Sequence, residues 1–256
     1  MKIVKPNGQR FFKDYVEELI IPYVENSLKS AERVDIVWDI YKQGSLKSQT
    51  RQARGNSVTH KMTDNALIPR NWATSLEMTT QKLLSSNIAN KIASDLFPRV
   101  STKTIVTTLD EQILSNNEDL SRDNLFPCNH GEGDYRTMLH ALHMSRNRLQ
   151  RVTVNTSDTD VVVIAVSTFQ QLDLVELWIR LGTGKHTRFI PIHEIVRNIG
   201  LEMSRCLQAF HALTGCDQTS FMFTCGKKKA WKTCIKFPNL TDALLKLIQE
   251  PQRQNC

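Results

Sequence analysis

The chain is 256 residues long, 40% apolar and 23% charged, a balance that excludes disorder and leaves ample length for a buried core. No apolar run exceeds Val161 to Val166, far short of a bilayer span, so a membrane protein is excluded; the opening MKIVKPNGQR also lacks the apolar centre of a signal peptide. The 33 Lys and Arg against 26 Asp and Glu leave a net charge of +7, which favours a polyanionic partner.

Residues 9–29 carry Phe12, Tyr15, Leu19, Tyr23 and Val24 at helical spacing and are expected to form an amphipathic helix. Arg33 to Asp39 reads as a strand ending on an acid. From Ile40 to Thr63 there are five basic residues and no acid, and helical signals resume after Pro69 and run to about Phe97, where Pro98 stops them. Lys103 to Thr108 is β-branched and reads as a second strand, while residues 109–131 read as a loop. A helix is expected over Asp134 to Leu149 and a strand over Arg151 to Asn155, with another helix starting at the apolar run after Asp160. Two further strands, Leu177 to Arg180 and Arg188 to Ile192, flank a Gly182-Thr-Gly184-Lys turn, and the remainder is helical in pattern. Strands alternating with helices predict an α/β fold with a mostly parallel central sheet and helices on both faces. Ligands of such sheets sit at the carboxyl ends of the strands.

That rule draws attention to the acids. Asp39 ends the first strand, Glu132 and Asp134 open a helix after a loop, Asp158 and Asp160 follow a strand, and Asp217 lies in a Gly-containing turn. A cluster of carboxylates repels itself unless cations bind there, and magnesium or manganese prefers such oxygen ligands. Two ions about 4 Å apart can clamp the attacking and leaving oxygens of a phosphodiester. The competing explanation is local: an Asp following a strand commonly caps the next helix by accepting its first free amides. Of the six cysteines, none forms Cys-x-x-Cys; Cys206, His211 and Cys216 match the spacing of no zinc module and lack a fourth ligand, so free intracellular thiols are expected.

Val37-Trp-Asp39-Ile-Tyr-Lys-Gln-Gly-Ser-Leu-Lys47, His130-Gly-Glu132-Gly-Asp134, Ser157-Asp-Thr-Asp160-Val-Val, His211-Ala-Leu-Thr-Gly-Cys-Asp217 and Gly226-Lys-Lys-Lys-Ala-Trp231 follow one another in that order. Taken together they resemble the flap endonuclease class of 5′-nucleases within the PIN-like fold, and more closely a group of uncharacterised animal proteins that carry a divergent copy of that domain. The resemblance covers nearly the whole chain. It implies that Asp39, Glu132, Asp134, Asp158, Asp160 and Asp217 hold two divalent ions, magnesium or manganese, that activate water for phosphodiester hydrolysis. It also implies one PIN-like domain over residues 1–256, with residues 40–97 as an arch-like, basic helical insertion and 203–249 as a C-terminal helical region that contacts DNA.

The departures from the family pattern carry expectations of their own. The nucleases place a further Asp on an N-terminal strand at the centre of the sheet, and before the first helix this sequence has only MKIVKPNGQR. The chain therefore reads as an N-terminally truncated copy, weak or inactive as a nuclease. The helix motif of the related animal proteins usually reads Glu-Glu-Ala-Asp, where Gly131-Glu-Gly-Asp134 stands here. Glycines there weaken a helix start by about 1 kcal/mol each relative to alanine.

Lys47, Arg51 and Arg54 share a face if that stretch is helical, and Lys227, Lys228 and Lys229 begin a second acid-free basic cluster. Both are expected to contact phosphates of a nucleic acid, DNA ahead of RNA, with backbone amides near Gly226 assisting. Trp231 is assigned to the core and not to base stacking, and His140 and His143 to packing or surface. Three readings stand at this point: a metal-dependent structure-selective nuclease, a non-catalytic nucleic-acid-binding module, and an interaction protein whose acids only cap helices.

Overall fold

The computed structural model describes residues 4–39, 63–69, 72, 78–121, 125, 133–216, 219 and 226–249. These fall into two compact units, Met1–His140 and Ala141–Cys256.

In the first unit the amphipathic pattern forms α1 (Phe12–Tyr15), a π-helical stretch (Val16–Ile20) and α2 (Ile21–Ser30), which together bury Tyr15, Val16, Ile20, Ile21, Val24 and Leu28. The π stretch directly precedes Pro22, which cannot donate to the carbonyl four residues back and whose ring crowds it. The same arrangement recurs in α3 (Met78–Lys91), which widens into a π stretch (Ile92–Leu96) and closes in a 3₁₀ turn (Phe97–Arg99) that contains Pro98. Residues 63–69 run past the start of α1, where Ala66 and Asp64 carbonyls accept from the Phe12 and Lys13 amides that the helix itself leaves without partners.

β1 (Arg33–Ile36) pairs in parallel with β2 (Thr104–Leu109), Arg33 opposite Thr104 and Ile36 opposite Thr107. β2 then pairs antiparallel with β3 (Gln112–Ser115) across a tight turn in which Asp110 takes a left-handed φ of 50°. Alternation sorts the side chains. Val34, Ile36 and Ile105 face the core formed by α1, α2 and α3, while Val106 and Ile113 pack with Leu125 on the opposite face. On that second face Arg33 and Asp35 meet α4 (Gly133–Arg146).

The second unit repeats the mixed pairing. β4 (Arg151–Thr156) lies parallel to β5 (Glu176–Leu181), with α5 (Asp160–Leu172) as the crossover, and β5 pairs antiparallel with β6 (Arg188–Pro191). On β4, Val152 and Val154 are buried while Arg151, Thr153 and Asn155 are exposed, so one face of this sheet is covered. α6 (Ile192–Ile199) and α7 (Leu201–Leu213) pack on α5; α8 (Lys227–Lys236) and α9 (Pro238–Gln249) follow, and Cys206, Phe210, Cys234 and Leu244 form the core between α7, α8 and α9. Trp231 packs edge-on against Phe210, ring centroids 5.3 Å apart, as a core residue would. Burial pushes the thiols of Cys206 and Cys234 up.

The chain is therefore α/β as expected, but the described strands form two small mixed sheets, β1-β2-β3 and β4-β5-β6, and not one mostly parallel sheet covered on both faces. The reason is local. β3 and β6 each follow their neighbour after only a few residues, and such short connections can close only an antiparallel pair. β3 itself falls inside residues 109–131, expected to be a loop. No helix among the described residues is long and apolar enough to cross a membrane.

Candidate functional site

In the first unit the strand β1 carries its charges on one face. Arg33 grips Asp35 two residues on with both ends of its guanidinium fork, Nε to Oδ1 at 2.7 Å and Nη2 to Oδ2 at 2.8 Å. His140 of α4 closes the group, its Nδ1 2.6 Å from Asp35 Oδ2. An ionised carboxylate only accepts, so the Nδ1–H donates. The three side chains are almost wholly removed from solvent, Asp35 and His140 each 3% exposed. Burial alone would raise the Asp35 carboxyl, but the hydrogen bonds from His140 and Arg33 outweigh it and hold the group below its ordinary value. The other ring nitrogen of His140, Nε2, is buried and has no hydrogen-bond partner among the described residues.

Trp38 pins the end of β1 to β2 through its amide to Thr108 Oγ1 (2.9 Å) and its indole to Thr107 Oγ1 (3.1 Å). The next residue, Asp39, accepts from the amide of Gly133, the first residue of α4, at 2.8 Å. It thus caps that helix across 94 residues of sequence. A Cβ built on Gly133 would run into the same carboxylate oxygen. The glycine that looked like a weakness of the helix start is what admits Asp39 to it. Asp134 follows in the first turn, half-buried, and two residues on Arg136, 1% exposed, reaches the carbonyl of Asp110 at 2.7 Å. Helix α4 is so fastened to β1 through Asp35, to the segment after it through Asp39, and to the β2–β3 connection through Arg136.

Replacing Gly133 by alanine should gain up to about 1 kcal/mol of helix propensity. The displaced Asp39 should lose its cap, worth about 1 kcal/mol, so the net change in unfolding free energy is expected to stay within about 1 kcal/mol. The coupling is the informative quantity. Asp39→Ala should cost about 1 kcal/mol less in the Gly133→Ala background than in the parent, measured by chemical denaturation of both singles and the double. Additive changes would rule out the contact.

In the second unit Asp158 and Asp160 stand where β4 passes into α5, beyond the carboxyl end of a parallel strand pair. Asp158 Oδ1 accepts from the Asp160 amide at 3.0 Å, an Asx turn that opens α5, and its own amide donates to Thr156 Oγ1 at 3.0 Å. Asp160, the first residue of α5, directs its Oδ1 to His211 Nε2 of α7 at 3.2 Å. The opposite nitrogen, His211 Nδ1, lies 2.7 Å from Lys227 Nζ at the start of α8. These groups border a cleft of about 470 Å³, lined also by Thr159, Thr214, Cys216 and Gly226.

Of the six acids expected to converge, Asp39 and Asp134 thus meet at the start of α4 in the first unit, and Asp158 and Asp160 at the start of α5 in the second. Glu132 and Asp217 lie outside the described residues, as do Lys47, Arg51 and Arg54. Lys227, Lys228 and Lys229 form the first turn of α8, which contains no acid, and all three are exposed. Cys206 sits in the apolar core and Cys216 at the cleft. His140 and His143 are packed, 2% and 5% exposed. Asp35 and the part played by His211 were missed. For Asp35 a signal existed: a charged residue inside the apolar run Val34 to Trp38 is buried only if paired.

Among the described residues no group of three or more His, Cys, Asp or Glu is placed to hold a metal ion. The carboxylates present nevertheless suit magnesium, which commonly takes one or two of them and completes its shell with water and substrate phosphate. Comparison with protein-family models, curated proteins and solved structures finds no match to this chain.

Proposed function

We propose that the chain is a divergent PIN-like domain of the 5′-nuclease type, a metal-dependent phosphodiesterase with weak activity or none. The observation that carries this reading is the cleft of the second unit. There a carboxylate (Asp160), an imidazole (His211) and an ammonium (Lys227) meet beyond the carboxyl end of the parallel β4–β5 pair, where sheets of this class take their ligands. Magnesium or manganese would be held by Asp158 and Asp160, with Asp217, and in the first unit by Asp39, Glu132 and Asp134. When bound, such ions would polarise the phosphodiester and lower the pKa of water. The protein's own contribution is placement. The Asx turn of Asp158 orients the start of α5, and His211 holds one oxygen of Asp160.

The experiment is cleavage of flap and single-stranded DNA by the 256-residue chain, in magnesium or manganese and in excess chelator. Slow cleavage confined to the metal-containing samples is expected. Cleavage that persists in chelator, or robust turnover, would overturn the reading in its site or in its weakness respectively.

A second reading, a non-catalytic nucleic-acid-binding module, draws on a specific observation: Asp39 and Asp158 each accept from the first amide of a helix, which is a structural occupation. Both readings share a polyanion contact at α8. Three lysines in a first turn oppose the helix dipole, and a phosphate there relieves that opposition while meeting the amides. Binding of a DNA duplex should therefore weaken steeply with salt. Changing Lys227, Lys228 and Lys229 together to alanine should flatten the log–log slope by about 2–3, roughly one per lost phosphate contact. A slope unchanged by the triple substitution, measured by fluorescence anisotropy across a salt series, would place the contact elsewhere.

A further inference from the structure

We infer that His211 is a positioning residue that couples cation binding at Asp160 to phosphate binding at the start of α8, an inference that rests on the phosphodiester reading of this cleft. An ammonium has only protons to donate, so Lys227 Nζ, 2.7 Å away, donates to His211 Nδ1. A ring that accepts at Nδ1 carries its proton on Nε2, and that proton points at Asp160 Oδ1, 3.2 Å away. The geometry thus fixes one tautomer and links anion, neutral ring and cation in a single chain of hydrogen bonds.

The three members come from three elements, the first residue of α5, the last turn of α7 and the first residue of α8, so the chain of bonds also ties those helices to one another. Each ligand of the proposed reaction acts on one end of it. A phosphate at the start of α8 competes with His211 for the Lys227 ammonium. A cation at Asp160 competes for the carboxylate to which His211 donates. Either event loosens the ring at its other bond, so the second ligand displaces a weaker contact than the first did. The coupling is positive, and by linkage it is the same in both directions. Mere neutralisation of Asp160 by a cation would also favour a polyanion, but that part does not need the imidazole.

The test uses the 256-residue chain, magnesium, and a fluorescein-labelled DNA hairpin. In the parent, saturating magnesium should tighten hairpin binding about 5-fold or more. His211→Gln, whose amide can accept from Lys227 and donate to Asp160, should keep most of that factor. His211→Phe, which fills the space without hydrogen bonds, should reduce it to less than about 2-fold. Long-range proton–nitrogen NMR spectra supply a reading independent of DNA: the metal-free parent should show His211 in the Nε2–H form, and removing both partners (Asp160→Ala with Lys227→Ala) should let the two tautomers mix. An Nδ1–H ring in the parent, or a coupling factor in His211→Phe equal to that of the parent, overturns the inference. A parent that binds magnesium and the hairpin independently overturns it and leaves the phosphodiester reading standing. A parent that binds neither overturns both.

Discussion

Asp35→Ala is expected to lower the unfolding free energy by about 3–5 kcal/mol, the cost of removing one partner from a buried ion pair and stranding the other. Arg33, its side chain 4% exposed, would lose the carboxylate that its guanidinium grips, and His140 would lose the acceptor of its Nδ1–H. Asp35→Asn should cost less, because the amide oxygen can still accept from one of the two. The pH dependence has a definite sign. The folded carboxyl titrates below its ordinary value of 3.8, so the stability it contributes is complete above that range. That contribution drains away as pH falls through the lowered folded value. The parent should therefore lose stability between its neutral plateau and acid pH more steeply than Asp35→Ala does. Urea denaturation of both proteins at several pH values reads the difference. Parallel curves, or a loss below about 1 kcal/mol at neutral pH, would mean that the triad is not buried as a charged group.

Asp160→Ala should abolish whatever metal-dependent cleavage the parent shows, by at least about 100-fold, the scale on which a misplaced reacting group is felt. Its structural cost should be small. Asp160 is partly exposed, so the loss of its bond to His211 and of the favourable interaction of an acid with the start of α5 should together cost about 1 kcal/mol. Asp158→Ala separates the two roles of its residue. The Asx turn to the Asp160 amide should cost about 1 kcal/mol when removed, as other helix caps do. If Asp158 is also a ligand, cleavage should fall as far as in Asp160→Ala. Cleavage retained in Asp158→Ala with the expected loss of stability would assign that residue to capping alone.

Periodicity and composition found most of the elements because their information is local. The β-branched Lys103 to Thr108, the alternating Arg151 to Asn155 and the helix around His140 lie close to where they were expected. Pairing is not local. Nothing in four residues such as Gln112–Ser115 announces that they fold back on β2, since that depends on Asp110 adopting a left-handed φ. The antiparallel third strand of each small sheet follows from two such short connections. The site divides the same way. Acids at element ends could be found from the chain order of strands and helices. Asp35 needs a histidine 105 residues away to make its burial tolerable, and that partner is visible only once α4 lies on β1. His211 likewise gains its meaning from Asp160, 51 residues before it, and from Lys227, 16 after.

The contact between Gly133 and Asp39 has a consequence for how this chain can diverge. A side chain can enter at 133 only by displacing the aspartate carboxylate at 39 from that space. A change at 39 made first leaves the amide of α4 uncapped, whereas a change at 133 made first pushes the carboxylate aside. The order of substitutions therefore matters, and the two sites are expected to drift as a pair. A lineage that acquired alanine at 133 would have to find a new seat for the acid at 39, and would carry its first helix cap and its first candidate ligand through the same step.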